Sequence, residues 1–377
     1  MDRDELSAWL RLVLTPRIGP GTARQLLAAL ASPQAIFEAS QTTLLGIVSP
    51  RDAKALSSAP DGLDAQLEQT WAWLQAEVEP SGGARALLTL ADDRYPASLF
   101  QTADPPLMLF AQGDLGLLSR PAVAVVGSRS PTAQGKDNAF AFAKALSQAG
   151  VTVVSGLAQG VDGAAHDGAL DALAADAAAG STIAVVGTGL DRVYPRAHLA
   201  LAHRIASQGL MLSEFLLGTP PLPGNFPKRN RIVAGLTKGT LVVEAAVQSG
   251  SLITARLAGE MGREVLAIPG SIHAPQSRGC HALIKQGAKL VETAQDVLDE
   301  LHLDRVVASP PESGLYEADE TDDPILSVMG FDPVSQEALS ARTGMGPAQL
   351  GAKLLELELT GLVARLPGQL FQRMGQT

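Results

Sequence analysis

Residues 122–129, Ala-Val-Ala-Val-Val-Gly-Ser-Arg, decide the fold class. Five small or β-branched apolar residues in a row favour a strand that is buried on both faces, and the glycine ends that strand. A helical pattern follows over about residues 133–149. In open parallel sheets, ligands bind beyond the carboxyl ends of the strands. That position is taken here by Gly127, Ser128 and Arg129. The glycine permits a close approach to the backbone, the serine supplies a hydroxyl and the arginine a guanidinium, so the three together favour binding of an anion.

The same alternation of short apolar runs and helical segments continues on the carboxyl side of this stretch. The sequence predicts helices from about Gly163 and near residues 252–262. Further strands are predicted at 151–154, 182–186, 210–213, 241–243 and 265–268. Such a pattern is typical of an α/β protein with a Rossmann-like, doubly wound, mainly parallel sheet.

The flanking regions differ from this core and suggest four parts. Residues 1–80 predict a small helical N-terminal domain, and residues 81–303 the Rossmann-like domain. Residues 304–324 are rich in Pro, Glu and Asp and predict a solvated linker. Three helical patches and a hairpin over 325–377 predict a winged-helix domain. Winged helices often bind DNA, but the second and third helices here carry few basic residues, so a role in protein contact is an equal alternative.

The charge is distributed unevenly along the chain. The net charge is −10, but residues 222–290 carry nine Lys or Arg against three acidic residues, a local net charge of +6. Residues 291–330 carry eleven acidic residues and one arginine, a net charge of −10. Because a polyanion responds to the local field, the overall charge does not exclude nucleic-acid binding.

The compartment is predicted from what the sequence lacks. The single cysteine, Cys280, cannot form an internal disulfide, which fits a reducing compartment. The acidic start has no apolar signal region, and no apolar run approaches the roughly 20 residues that span a bilayer. We therefore expect a soluble, cytoplasmic protein.

Residues 225–236, Asn-Phe-Pro-Lys-Arg-Asn-Arg-Ile-Val-Ala-Gly-Leu, are the most informative candidate site. Cations at a helix start suit phosphate, and an adjacent ring suits stacking of an unpaired base. A solvated helix face, with Phe226 in the core, is the alternative. A second candidate is the strand-end loop at Ser249, Gly250 and Ser251. Several strand ends of this kind are expected to converge on one edge of the sheet as an anion-binding groove.

Two other features have an ordinary structural explanation beside a functional one. Asp162 and His166 share a helix face and resemble a catalytic or metal pair, but without a third ligand we expect a cap and a local hydrogen bond. The turn at residues 16–21 resembles a helix-hairpin-helix element, which contacts phosphates, or is an ordinary turn.

The motifs together resemble the DNA-processing protein A family (DprA, also called Smf) over about residues 120–300. They comprise Gly-Ser-Arg at 127–129, Ser-Gly at 155–156 with Gly-Val-Asp at 160–162, Gly-Thr-Gly-Leu-Asp at 187–191 with Tyr-Pro at 194–195, Phe-Pro-Lys-Arg-Asn-Arg at 226–231, Ser-Gly-Ser-Leu-Ile-Thr-Ala at 249–255 and Pro-Gly at 269–270. Two positions depart from the pattern. Many members have Asn at the position of His281, and an aromatic residue at the position of Gln134.

The resemblance implies a protein that is not an enzyme and needs no cofactor or metal. Members bind single-stranded DNA, form homodimers through the Rossmann-like domain, and load RecA onto incoming DNA during natural transformation and recombination. The positions implied for DNA contact are Gly127, Ser128, Arg129, Ser155, Gly156, Arg196, Phe226, Lys228, Arg229, Asn230, Arg231, Ser249, Gly250 and Ser251.

Two alternatives keep the Rossmann-like fold and change the function. A nucleotide-cleaving enzyme usually has a Pro-Gly-Gly-x-Gly-Thr loop followed by a catalytic glutamate. This chain has Glu244 but only Gly239-Thr240 of the loop. A nucleotide sensor would hold a small ligand and signal through the winged helix. Turnover, or a saturable small ligand, would distinguish these classes from DNA binding.

Overall fold

The computed structural model describes residues 1–76, 83–303, 323–329 and 333–374. Residues 304–322 of the predicted linker lie outside these described residues. The described chain consists of two compact units, residues 1–120 with 183–236, and residues 121–182 with those from Thr237 onwards. The four predicted domain boundaries remain predictions.

The N-terminal residues are helical, as the sequence predicts. The helices are α1 (Arg3–Leu14), α2 (Pro20–Leu30), α3 (Pro33–Glu38), α4 (Gln41–Leu45), α5 (Pro50–Leu56) and α6 (Leu63–Gln75). The turn between α1 and α2 places Arg17 at φ +73° and starts α2 with Pro20. Contact of this turn with DNA remains a prediction.

Residues 83–303 alternate between strands and helices. The elements are β1 (Arg85–Thr89), α7 (Ala97–Phe100), β2 (Met108–Gly113), β3 (Ala122–Val126), α8 (Ala133–Gln148), β4 (Thr152–Ser155), α9 (Val161–Ala175), β5 (Thr182–Val185), α10 (Leu199–Gln208), β6 (Leu210–Ser213), α11 (Asn225–Leu236), β7 (Gly239–Val242), α12 (Ser251–Glu260), β8 (Glu264–Ala267), α13 (Arg278–Lys285), β9 (Lys289–Leu290) and α14 (Ala294–Glu300). Each predicted strand is present within one or two residues of its expected bounds.

The first unit contains a mixed sheet in the order β1-β2-β6-β5. β2 is antiparallel to both β1 and β6, whereas β5 and β6 are parallel. Trp9 of α1 lies in one apolar cluster with Leu87 of β1 and Phe110 of β2. The N-terminal helices therefore share a core with two antiparallel strands that the sequence pattern did not predict.

The second unit contains a parallel sheet in the order β4-β3-β7-β8-β9. Every residue of β3 is buried, as its uninterrupted apolar sequence predicts. Val123 and Val125 of this strand pack in one cluster with Phe142 of α8 and Leu241 of β7. The mostly parallel, Rossmann-like fold predicted from the sequence is confirmed.

The C-terminal residues form the predicted winged helix. Its elements are α15 (Leu326–Met329), β10 (Val334–Ser335), α16 (Gln336–Thr343), α17 (Pro347–Leu359), β11 (Val363–Leu366) and β12 (Leu370–Arg373). The strands pair antiparallel in the order β10-β12-β11. Gln372 of β12 donates a hydrogen bond from Nε2 to Oε1 of Gln134, 3.1 Å away. Gln134 of α8 therefore contacts the winged helix.

Candidate nucleic-acid interface

The loop after β3 is shaped by a close approach of the backbone. A Cβ on Gly127 would lie 2.7 Å from Cγ2 of Val161 and 2.9 Å from the carbonyl oxygen of Glu244, so only glycine fits. The Ser128 hydroxyl accepts a hydrogen bond from the Ser130 N–H at 3.1 Å. Arg129 follows with an exposed side chain. This loop thus presents a guanidinium on a backbone that packing holds in place.

The N-terminus of α8 is occupied by a carboxylate of the protein itself, that of Glu244. Glu244 accepts hydrogen bonds from the Thr132 N–H at Oε2 (2.9 Å) and from the Thr132 hydroxyl at Oε1 (2.6 Å). A Cβ on Gly135 would lie 2.3 Å from Cδ of Glu244. Because a helix N-terminus favours negative charge, this carboxylate stabilises the start of α8. The sequence suggested Glu244 only as a catalytic candidate, and here both of its oxygens serve the helix cap.

Several polar groups that the sequence suggested as DNA ligands form hydrogen bonds within the second unit. The buried Ser155 hydroxyl donates to the Val125 carbonyl at 2.6 Å. Asp162 Oδ2 accepts from the N–H groups of Gly156 at 3.1 Å and Ala158 at 3.3 Å. The Ser155 hydroxyl and the Gly156 N–H therefore already have partners within the fold. DNA contact by Ser155 and Gly156 remains a prediction, and it requires this loop to rearrange.

The same is true of the suspected metal or catalytic pair. Asp162 and His166 are buried on α9, and the Nδ1 atom of His166 lies 2.7 Å from the Thr182 hydroxyl. Asp162 holds the preceding loop rather than capping the helix at its first residue. Among the described residues, no group of three His, Cys, Asp or Glu side chains is arranged to hold a metal ion.

The loop before α12 is more open. The hydroxyls of Ser249 and Ser251 lie 2.7 Å apart and bond to each other. Gly250 is exposed, and a Cβ there would meet nothing within 4 Å. This loop of the second unit can therefore admit a ligand close to its backbone, although its two hydroxyls already have one partner each.

In the first unit, two aromatic rings lie side by side at the start of α11. The half-buried ring of Phe226 packs against Gly187, where a Cβ would lie 3.1 Å from its Cδ1 atom. Its centroid lies 5.4 Å from that of Tyr194, with the ring planes tilted by 44°. Tyr194 is 47% exposed. Tyr194 belongs to one of the motifs but is not among the positions implied for DNA contact, although an aromatic residue two positions before Arg196 is a detectable signal.

The cations of α11 differ in their surroundings. Lys228 is exposed, as is Arg196 in the preceding loop. Arg229 is only 4% exposed, and its Nη1 donates to the Val185 carbonyl at 2.6 Å. Arg231 forms ion pairs with Glu214 and, from Nε to Oδ2 at 3.0 Å, with Asp104.

These surroundings divide the cations that the sequence grouped together. Lys228 and Arg196 are accessible to a phosphate, whereas Arg229 and Arg231 serve the fold, and Asn230 is half-buried between them. DNA contact by Arg229, Asn230 and Arg231 remains a prediction, and the ion pairs of Arg231 compete with it.

Burial also shifts the pKa of Glu214, one of the two acidic partners of Arg231. Desolvation raises the pKa of Glu214 above its ordinary value, and the positive charge of Arg231 opposes that rise. Arg231 therefore favours the ionised form of Glu214, in a site where burial disfavours it. Arg231 thus contributes to the electrostatics of the first unit, and its contact with DNA stays a prediction.

The fold and these surfaces define a Rossmann-like α/β protein with a winged helix and with exposed cationic and aromatic groups on the loops and helices between its strands. The sequence matches the family described as DNA recombination-mediator protein A over residues 86–302, and the DprA winged helix domain over residues 306–369. The chain belongs to the DprA/Smf family.

Individual relatives agree with this assignment. Protein Smf of Escherichia coli K12 is 41% identical over 80% of this chain and 79% of its own length. The crystal structure of DprA from Streptococcus pneumoniae covers 80% of this chain and 98% of that one, with 37% identity and a TM-score of 0.65. A Helicobacter pylori DprA structure, described as revealing a single-stranded DNA binding mode, covers 59% and 97%, with 31% identity and a TM-score of 0.52.

Proposed function

We propose that this protein binds single-stranded DNA without catalysing a reaction. The observation that carries the proposal is the pair of rings at Tyr194 and Phe226, each followed two residues later in the chain by an exposed cation, Arg196 and Lys228. Rings stack on any base face, and cations bind the phosphate between bases. A duplex hides its base faces, so this combination favours an unpaired strand.

The second unit supports the same function with the exposed Arg129 and the open loop at Gly250. An arginine on a fixed backbone can contact a phosphate through two parallel hydrogen bonds. The family relationship and the Helicobacter pylori protein described by its single-stranded DNA binding add support. Contacts of this type read no base edge, so we expect little dependence on sequence.

The cellular role follows from the family rather than from the geometry. We propose that the protein acts in the cytoplasm as a homodimer, protects incoming DNA, and helps RecA to assemble on it. Adding the purified protein should shorten the delay before RecA filaments form on single-stranded DNA. An unchanged delay at saturating protein would argue against this role.

The nucleotide-enzyme alternative receives less support from the described residues. Glu244, the carboxylate that such chemistry would need, is bonded twice to Thr132 at the start of α8. A small-molecule sensor remains distinguishable by experiment, because a sensor saturates with a mononucleotide whereas a strand binder holds a longer strand more tightly.

The test is a titration of the full chain with oligonucleotides of increasing length, with a mononucleotide as competitor. We expect affinity to rise with strand length and to be greater for single strands than for duplex of equal length. The mononucleotide should displace the strand only weakly. Equal affinity for mononucleotide and oligonucleotide, or hydrolysis that disappears in Glu244→Gln, would contradict the proposal.

A further inference from the structure

The third helix of the winged helix, α17, has two apolar faces. Leu350, Leu354 and Leu357 are buried in the core of the winged helix. On the opposite side, Leu355 is 56% exposed and Leu359 is 81% exposed. A helix that only completed the winged-helix core would need the first of these faces alone, so the second face is available for a partner.

The second face has the spacing of a helix-packing seam. Its residues are Ala348, Ala352, Leu355 and Leu359, all exposed, and they follow one another at intervals of four, three and four positions. At about 100° per residue these four side chains fall within a stripe roughly 60° wide. Intervals of this kind are the a and d positions at which two helices interlock side chains. We call these four residues the α17 seam.

The flanks of the α17 seam are acidic. Glu356 and Glu358 stand on either side of it, at the positions equivalent to e and g of a heptad. Lys353 pairs with Glu356 at 3.0 Å, but it is exposed, and an exposed pair of this kind contributes little and exchanges readily. A helix that packs on the seam would therefore meet carboxylates on both edges.

The charges beside the α17 seam distinguish between three possible binding partners: DNA, a second copy of α17 and a helix of another protein. A DNA-reading helix brings cations to the phosphates, whereas α17 carries two glutamates and one lysine. A second copy of α17 would place glutamates opposite glutamates in either orientation. A helix with Lys or Arg beside an apolar seam complements both features.

We propose that the α17 seam docks an amphipathic helix of another protein, one with apolar residues at its a and d positions and basic residues beside them. The seam supplies the buried contact, and the glutamates fix the choice of partner. The winged helix is then a protein-recruiting module. The proposal stands independently of DNA binding by the two units described above.

The probe is a labelled synthetic helix of about three heptads with Leu at a and d and Lys at e and g, at concentrations where it is monomeric. We expect it to bind the full-length protein in a fluorescence anisotropy titration. A matched peptide with Glu at e and g should bind about three- to tenfold more weakly. Leu359→Ser should reduce binding of the Lys peptide by about ten- to a hundredfold.

Two variants make the outcome decisive. Leu45→Ser removes a leucine that is 45% exposed on α4, outside the winged helix, and should leave peptide binding unchanged. Glu356→Lys combined with Glu358→Lys should reverse the preference in favour of the Glu peptide. The proposal is overturned if the two peptides bind equally, if neither binds, or if Leu359→Ser instead dissociates a homo-oligomer in sedimentation.

Discussion

Arg231→Ala is expected to lower the free energy of unfolding by about 3 kcal/mol, the lower end of the range for breaking a buried pair. Arg231 and Glu214 each expose only 15% of their side chains. Removing the guanidinium leaves the Glu214 carboxylate in a poorly solvated site, while the more exposed Asp104 keeps its water. Urea unfolding at neutral pH measures this loss.

The loss should depend on pH, and the sign follows from the direction of the Glu214 pKa. Burial raises that pKa in the folded state, and the variant lacks the positive charge that opposes the rise. An acid with a raised folded-state pKa favours folding when it is protonated, so its penalty disappears below the ordinary glutamate pKa. The variant and the wild type should therefore differ most at neutral pH and least in acid.

Two comparisons establish the cause of this effect. Arg192→Ala removes an exposed arginine paired with Asp191 in the same unit, and should cost less than about 1 kcal/mol. Arg231→Met combined with Glu214→Leu removes both charges and should recover most of the stability. A loss for Arg231→Ala as small as that for Arg192→Ala would show that the pair is not a structural element.

Phe226→Ala is expected to weaken binding of single-stranded DNA by about 1–3 kcal/mol, the contribution of one stacked base. The ring is half-buried between Gly187 and Tyr194, so one part of it serves packing and another part is open to a base. Because stacking involves no phosphate, the dependence of affinity on salt should be unchanged. Fluorescence anisotropy with a short oligonucleotide at several salt concentrations measures both quantities.

Packing and stacking are separated by a second substitution at the same position. Phe226→Leu keeps most of the apolar volume and removes the aromatic face, so it should lose affinity while melting close to the wild type. Phe100→Ala removes a ring that is 59% exposed elsewhere in the first unit and should leave binding unchanged. If Phe226→Ala melts far lower but binds normally once folded, the ring belongs to the core and the stacking role is wrong.

The sequence predicted those parts of the fold that depend on local patterns. β3 and β6 have the bounds that their apolar runs predicted, because a strand buried on both faces leaves an uninterrupted signal. β1 and β2 were missed, and with them the antiparallel part of the first unit. Each lies near loops rich in polar residues and proline, and neither is followed at once by a long helix.

Contacts between side chains that are distant in the sequence could not be predicted from the sequence. The run at 226–231 showed four polar or charged residues but not that Asp104 and Glu214 neutralise Arg231, or that Arg229 reaches the carbonyl of Val185. Exposure alone distinguishes Lys228 from these arginines, and exposure depends on the tertiary structure. For the same reason Glu244 was considered for catalysis rather than for the cap of α8.

The most direct test of the account is the slope of log Kobs against log salt concentration for a single-stranded oligonucleotide. We compare the wild type with Arg129→Ala and Lys228→Ala, and with Arg256→Ala, which removes an exposed arginine paired with Glu260. Wild-type binding should weaken as salt rises, and each of the first two substitutions should flatten the slope by about 0.7 for each phosphate that the variant no longer binds. Arg256→Ala should keep the wild-type slope. A wild-type affinity that does not change with salt, or the same slope in all four proteins, would contradict DNA binding at Arg129 and Lys228.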